Sequence, residues 1–304
     1  MQNFNYTIPT ELVKHVTALC GRPGEDWLAQ LPATLNRLEQ IWNLSIHEAF
    51  PAIEFNYVAP AVREDGDAVV VKIAPPYLST EIFCEAKFLK TRNGKGCIRL
   101  LGVEAASHAI MIERAVPGEN LSGHFADREP ESVAPAIAVL REILIPPPTD
   151  MIDVISLDDW FDGMTRHPGT DFPASYARKA LEIYETLSKQ PGRTFYLHGD
   201  FHPGNVVTAT REPFMAIDPK GIVGHIGYEV AVFLNNLHWW QDERPDVKQR
   251  LERSIEEFSS AFEIDPFELR QWAFAQLVLG AWWTYDESPT LYDDQVAKAD
   301  IWGV

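Results

Sequence analysis

A chain of 304 residues is long enough to bury a sizeable core, arranged as one large domain or two lobes. Apolar residues make up 46% and charged residues 23%, which excludes disordered and collagen-like classes, and no apolar run is long enough to cross a bilayer. Acids outnumber bases 44 to 26, and the resulting net charge of −18 repels phosphate backbones, which argues against a nucleic-acid partner; the same surface would attract a cationic small molecule.

Three cysteines, Cys20, Cys84 and Cys97, form no C-x-x-C pair, so reduced thiols are expected in place of a disulfide framework or a zinc ribbon. The first residues, MQNFNYTIPTELVKH, lack a basic stretch followed by an apolar core. No signal peptide is expected there, and the chain reads as cytoplasmic. Its oligomeric state is left open.

Apolar side chains recur at three- and four-residue intervals over residues 10–44, which predicts two helices with Thr10 and Asp26 as caps. The pattern then changes to β-branched runs on either side of Asp65-Gly66, as in a strand–turn–strand. STEIFCEAKFLKTRNG restores helical spacing, opening on a Ser/Thr cap and closing at Gly94. Two strand-like runs, CIRLLGVEA and HAIMIERAV, precede Pro117-Gly118. From about residue 120 the periodicity is helical except at 195–224, where TFYLHGD, NVVTAT and FMAID read as short strands and loops. The expected architecture is α+β. A small sheet-rich part over 1–114 is followed by a larger helical part over 115–304, with ERAVPG as the crossing.

The segment His198-Gly199-Asp200-Phe201-His202-Pro203-Gly204-Asn205, followed by Ile217-Asp218-Pro219-Lys220, concentrates the polar chemistry. Gly199, Pro203 and Gly204 forbid a helix, so Asp200 and Asn205 belong to a loop leaving an apolar strand. VVTAT and FMAID flank a turn at Arg211-Glu212-Pro213, and such a hairpin returns Asp218 to the neighbourhood of Asn205. Two carboxylates and a carboxamide form a hard-oxygen set suited to Mg²⁺, which takes one or two protein carboxylates and completes its shell with phosphate and water. Taken singly, each of these residues reads as an ordinary turn former. The combination is specific.

HGDFHPGN with IDPKGIVG resembles the aminoglycoside phosphotransferase group of the protein-kinase-like superfamily, in particular its streptomycin 6-kinase and aminoglycoside/hydroxyurea resistance branch. CIRLLGVEAASHAIMIERAVPGENL extends the resemblance, which spans roughly residues 50–285. It implies a two-lobed kinase-like fold and transfer of the γ-phosphoryl group of ATP to a small-molecule hydroxyl with Mg²⁺. Asp200 would then orient the acceptor hydroxyl, with Asn205 and Asp218 holding the metal. Lys72, in the run VVVKI, would meet the phosphates, paired with Glu85 or, one turn earlier, Glu81. Backbone groups of Glu113 and Ala115 would meet the adenine. His198 would brace the loop, and His202 would do the same or lie near the nucleotide.

The chain departs from this pattern in two places. No G-x-G-x-x-G loop precedes Lys72, where Gly66 stands alone. Gly224 is followed by His225-Ile226 where many relatives are expected to have Asp-Pro, and Glu229 occupies the place of a loop-bracing aspartate.

Three other readings compete. A housekeeping kinase for a sugar, amino alcohol or amino acid would carry the same residues, and so would a non-catalytic kinase-like binding protein. The H-x-x-x-H spacing of His198 and His202 suggests a zinc hydrolase, but the intervening glycine and the following Pro-Gly disfavour the required helix. The aromatic and acidic runs Trp239-Trp240-Gln241-Asp242-Glu243 and Ala281 to Glu287, with Asp158, Asp159 and Asp162 around Trp160 and Phe161, suit a cationic sugar pocket. They suit helix packing better.

Overall fold

The computed structural model describes residues 6–51, 53, 55–126, 128–166, 171–241, 246–287 and 293–304. The chain divides into two compact units, Met1–Gly118 and Glu119–Val304.

The first unit opens with α1 (Thr10–Cys20) and α2 (Arg22–Trp42). They are followed by β1 (Leu44–Ile46), β2 (Tyr57–Arg63) and β3 (Ala68–Ile73). The unit continues with α3 (Glu81–Arg92), β4 (Leu100–Glu104) and β5 (Ala109–Glu113). The strands form one antiparallel sheet in the order β1-β2-β3-β5-β4. Leu12 and Val16 of α1 and Leu31, Leu35 and Leu38 of α2 are buried in one core with Ala59, Val69, Val71, Ile73 and Met111 of the sheet. Each such leucine contributes about 1.5–3 kcal/mol of burial free energy, so the helix pair stabilises the sheet from that side. Strand alternation places Val70 and Lys72 on the opposite face, where Lys72 pairs across the sheet with Ile110.

The expected helix caps need correction. Thr10 is the first helical residue and Pro9 precedes it, with no side-chain cap. Asp26 lies inside α2, because the break falls earlier, at Gly21, whose φ of 55° and ψ of −134° suit a residue without a Cβ. Thr80 precedes α3 in helical conformation and makes no capping bond. Helix α3 ends at Arg92, with Asn93 left-handed ahead of Gly94.

In the second unit β6 (Pro117–Asn120), which carries the chain across the boundary, leads to α4 (Leu121–His124) and α5 (Val133–Ile143). Next come β7 (Ile155–Ser156), α6 (Leu157–Arg166) and α7 (Ala174–Leu187). Four short strands follow: β8 (Thr194–Leu197), β9 (Val206–Ala209), β10 (Phe214–Ala216) and β11 (Ile222–His225). The unit closes with α8 (Ile226–Gln241), α9 (Val247–Phe262), α10 (Pro266–Glu287) and α11 (Asp293–Lys298). Helices α8 and α10 form its centre. Phe233, Leu234, Trp272, Ala275 and Leu279 are all buried there. A small sheet, β7-β11-β8, lies at the start of α8, with β11 antiparallel to β8 and parallel to β7.

Most of the C-terminal tryptophans that can be placed are packing residues. Trp282 is buried, whereas Trp283 is exposed and meets Trp160 edge-on at 5.2 Å. The side chains of Trp239, Trp240, Gln241 and Glu287, and residues Asp242 and Glu243 entirely, lie outside the described residues.

Candidate active site

Strand β8 delivers the chain into the loop 198–205. His198, at the strand end, is fully buried and bonded on both sides. Its Nε2 donates to Ile217 O at 2.8 Å, and its Nδ1 accepts the N–H of Asp200 at 3.3 Å. Burial pushes its pKa down to about 4, against the opposing pull of the Asp200 charge. The imidazole is therefore neutral at pH 7, with its proton on Nε2. The carbonyl of His198 accepts the amides of Lys220 (2.7 Å) and Gly221 (3.2 Å), which ties the Asp218–Gly221 turn to the same strand end.

Asp200 follows a glycine for a steric reason. Gly199 has φ of 86°, and a Cβ there would stand 3.1 Å from both Ile222 Cγ1 and Lys220 Cβ. Gly199→Ala is expected to cost roughly 1–3 kcal/mol and to displace Asp200. A urea midpoint lowered accordingly checks this; an unchanged midpoint contradicts it.

The Asp200 side chain is half-exposed, with Oδ1 3.8 Å from His202 Nε2. His202 Nδ1 accepts the Gly204 amide at 3.0 Å. Asn205 is buried, and its Nδ2 donates to Asp200 O at 3.0 Å and lies 3.4 Å from Asp200 Oδ2. Once its nitrogen is committed in this way, the Asn205 amide presents Oδ1 as its acceptor.

From Asn205 the chain enters the expected hairpin, in which Val206 faces Ala216 and Val207 faces Met215. The Ile217 amide donates to Asn205 O at 2.9 Å, so Asp218 begins one residue beyond a direct backbone bond to Asn205. Asp218 has φ of 59°, an uncommon left-handed conformation for a residue other than glycine. Such conformations concentrate where function fixes a side chain.

Glu229, in the first turn of α8, is fully buried, and its Oε2 accepts the Gly199 amide at 2.9 Å. It therefore grips the residue just ahead of Asp200. Burial raises its pKa to about 8, and nearby Asp200 pushes the same way against the backbone amides of Gly199 and His198. At neutral pH the brace is mainly a neutral carboxylic acid, so it adds little negative charge beside Asp200.

Within the first unit, Lys72 Nζ donates to Glu85 Oε2 at 2.6 Å, and both side chains are buried. The structure thus pairs Lys72 with Glu85, one turn beyond Glu81. Glu113 closes β5. Its N–H donates to Arg99 O (2.9 Å), and its Oε2 accepts the Arg99 amide (3.0 Å). Ala115 follows in the segment to Gly118, where a Cβ would meet Ala115 O at 2.9 Å.

The chain matches the aminoglycoside/hydroxyurea antibiotic resistance kinase family over residues 42–288. It belongs to that family. Streptomycin 6-kinase of Streptomyces glaucescens is 27% identical to this kinase over 299 residues, 94% of this chain and 93% of the relative. Among solved structures, choline kinase LicA of Streptococcus pneumoniae covers 90% of this chain and 99% of its own at 12% identity and a TM-score of 0.61. Amicoumacin kinase hAmiN, solved with AMP-PNP, Ca²⁺ and amicoumacin, covers 90% and 93% at 14% identity and a TM-score of 0.62. The fold is accordingly the protein-kinase-like one, and the kinase is a small-molecule phosphotransferase of the alcohol-acceptor class. Among the described residues no helix is long and apolar enough to span a membrane, and no cluster of three His, Cys, Asp or Glu is placed to hold a metal. The zinc-hydrolase reading needs residues 198–202 to be helical; they are not, and His198 bonds the backbone through both ring nitrogens.

The buried titratable groups set a pH optimum for stability. Burial holds His198 and His225 near 4, below the ordinary 6.5, so their contribution is complete above pH 6.5 and is lost as pH falls towards 4. Glu229, raised from 4.5 to about 8, acts in the opposite sense. Its contribution is complete below pH 4.5 and gone above about 8. Between pH 4.5 and 6.5 two histidines outweigh one glutamate, while above 6.5 only Glu229 acts. Urea midpoints measured from pH 4.5 to 8.5 are expected to peak near pH 6.5; a monotonic profile contradicts the assignment.

Proposed function

We propose that this kinase transfers the γ-phosphoryl group of ATP to a hydroxyl of a cationic, aminoglycoside-like small molecule in a magnesium-dependent reaction. The observation that carries the reading is the loop 198–205, in which Asp200 is gripped through the amides of Gly199 and Asp200 and through its own carbonyl, which Asn205 holds. Phosphoryl transfer passes through a loose transition state that demands positioning and charge neutralisation more than strong basicity. A carboxylate fixed by its own backbone serves that demand. Asp200 accepts a hydrogen bond from the acceptor hydroxyl, aims that hydroxyl oxygen in line with the γ-phosphorus, and takes its proton as the new P–O bond forms and the bond from the γ-phosphorus to the departing ADP breaks.

Asn205 and Asp218 fit magnesium by donor chemistry. Both supply hard oxygens, the Asn205 nitrogen is already committed elsewhere, and two protein ligands leave room for phosphate and water. Asn205 and Asp218 would hold the ion, which would supply charge neutralisation for the transferring phosphoryl group. Lys72, aimed by Glu85, binds the α- and β-phosphates. The adenine meets the Ala115 backbone and Glu113, whose share falls to its carbonyl oxygen because its amide bonds Arg99.

An acidic chain favours a cationic acceptor, as does the likeness to a streptomycin kinase. The test is ADP release from Mg·ATP with streptomycin, hydroxyurea, choline and neutral sugars as separate acceptors. Release that depends on streptomycin is expected. Release only with a neutral sugar contradicts the proposed substrate class, and release with none contradicts phosphotransfer to these compounds.

A further inference from the structure

The site leaves one buried imidazole unused. His225, at the junction of β11 and α8, is almost fully buried, and its ring stacks on Trp272 with centroids 5.0 Å apart and planes 19° apart. Its Nδ1 accepts the amide of Gly227 at 2.9 Å. Gly227 is the second residue of α8, so this bond satisfies one of the amide donors that every helix start leaves without an intrahelical partner. The amide before it, Ile226, donates to Arg193 O at 2.9 Å.

Trp272 closes the arrangement. A Cβ on Gly227 would meet Trp272 Cδ1 at 2.2 Å, so the helix start, the indole and the imidazole are packed as one block. His225 Nε2 faces Glu268 Oε1 at 3.8 Å, and Glu268 Oε2 accepts from Gln190 Nε2 at 3.0 Å. The other charged group near the ring is Arg193, whose guanidinium donates to the carbonyls of Phe262 and Glu263. A ring whose Nδ1 accepts an amide and whose Nε2 looks towards a carboxylate is the neutral Nε2–H tautomer.

We propose that His225 is a positioning residue for phosphoryl transfer, its Nδ1 capping α8 so that Glu229 holds Gly199, and through it Asp200, in register. The chain of contacts is short. Glu229 sits one helical turn after the capped end, its Oε2 bonds the Gly199 amide, and Asp200 is the next residue. Loss of the cap loosens the first turn of α8, and a small displacement of a reacting group is enough to slow transfer. His225 never touches substrate in this account. The inference rests on the proposed phosphotransfer for its kinetic consequence, but the cap itself is independent of it.

The experiment compares wild type with His225→Ala and His225→Asn, since asparagine offers a capping oxygen without the ring. His225→Ala is expected to lower kcat about tenfold or more while the KM for ATP stays within about twofold, and His225→Asn to regain most of the loss. Amide exchange at Gly199 should quicken in His225→Ala and not in His225→Asn. Wild-type kcat in folded His225→Ala, or equal impairment in both variants, overturns the proposal. If neither variant folds, nitrogen NMR of the wild-type imidazole at pH 7 decides: an Nε2–H tautomer supports the cap, and an Nδ1–H tautomer overturns it. If the wild type transfers no phosphoryl group, the functional reading fails, and the exchange and tautomer results still decide the cap.

Discussion

Replacing Asp200 with asparagine is expected to lower kcat about 10²–10⁴-fold while leaving the KM for ATP and the fold nearly unchanged. The side chain is half-exposed, so the substitution creates neither a cavity nor a buried unpaired charge. The backbone contacts remain as well: the residue 200 amide still meets His198 Nδ1, and its carbonyl still accepts from Asn205. What disappears is the carboxylate proposed to receive the acceptor hydroxyl's proton. An amide of the same shape can orient a hydroxyl but cannot take its proton, so the loss should appear in kcat and not in nucleotide affinity. Steady-state kinetics of the variant check this. A kcat within a factor of a few of wild type would mean that Asp200 is not the acceptor-facing group.

Lys72→Met should affect stability and activity together, and the two effects can be separated. Lys72 and Glu85 are both buried at 2.6 Å, and removing one partner of such a pair leaves the other charge desolvated, at a cost of about 3–5 kcal/mol. Replacing the pair by apolar residues of similar volume removes that penalty. Lys72→Met/Glu85→Leu is therefore expected to recover much of the lost stability, because a well-packed apolar pair is often as stable as a buried ionic one. Activity should not return, since the ammonium proposed to meet the phosphates is then gone. Urea unfolding and ADP release, measured on the single and double variants, check the two halves. Recovery of stability and activity together in the double variant would show that the lysine serves only the fold.

Much of this arrangement was legible in the sequence because local chemistry dictated it. The glycines and proline between His198 and Asn205 could not continue a helix, and the β-branched run after Asn205 could only return through Arg211-Glu212-Pro213. The hairpin that brings Asp218 alongside Asn205 follows from those two facts. The strands around Asp65-Gly66 were equally plain, since runs holding β-branched residues on both sides of a turn pair have few other solutions.

Other features were out of reach for physical reasons. Gly21-Arg22-Pro23-Gly24 reads as a longer turn, whereas only Gly21 breaks the helix and Pro23 and Gly24 already lie in the first turn of α2, which is why Asp26 was misplaced as a cap. Strands β7 and β11 are two and four residues long, too short to show a period of their own. Glu81 and Glu85 lie about one helical turn apart on nearly the same face, and a pattern of apolar residues does not choose between them. His225 and Glu229 stood out only as departures from an expected pattern. That one caps a helix and the other holds the Gly199 amide depends on hydrogen bonds between segments far apart in the chain.

In the proposed reaction phosphorus leaves ATP and arrives on an acceptor oxygen at the Asp200 loop, and phosphorus NMR follows that transfer directly. With wild-type kinase, Mg·ATP and streptomycin, the γ-phosphate signal should decline as a phosphate monoester grows in equal amount, and neither change should occur with Asp200→Asn on the same timescale. A γ-phosphate that appears only as inorganic phosphate, or that does not decline while the nucleotide is bound, would contradict it.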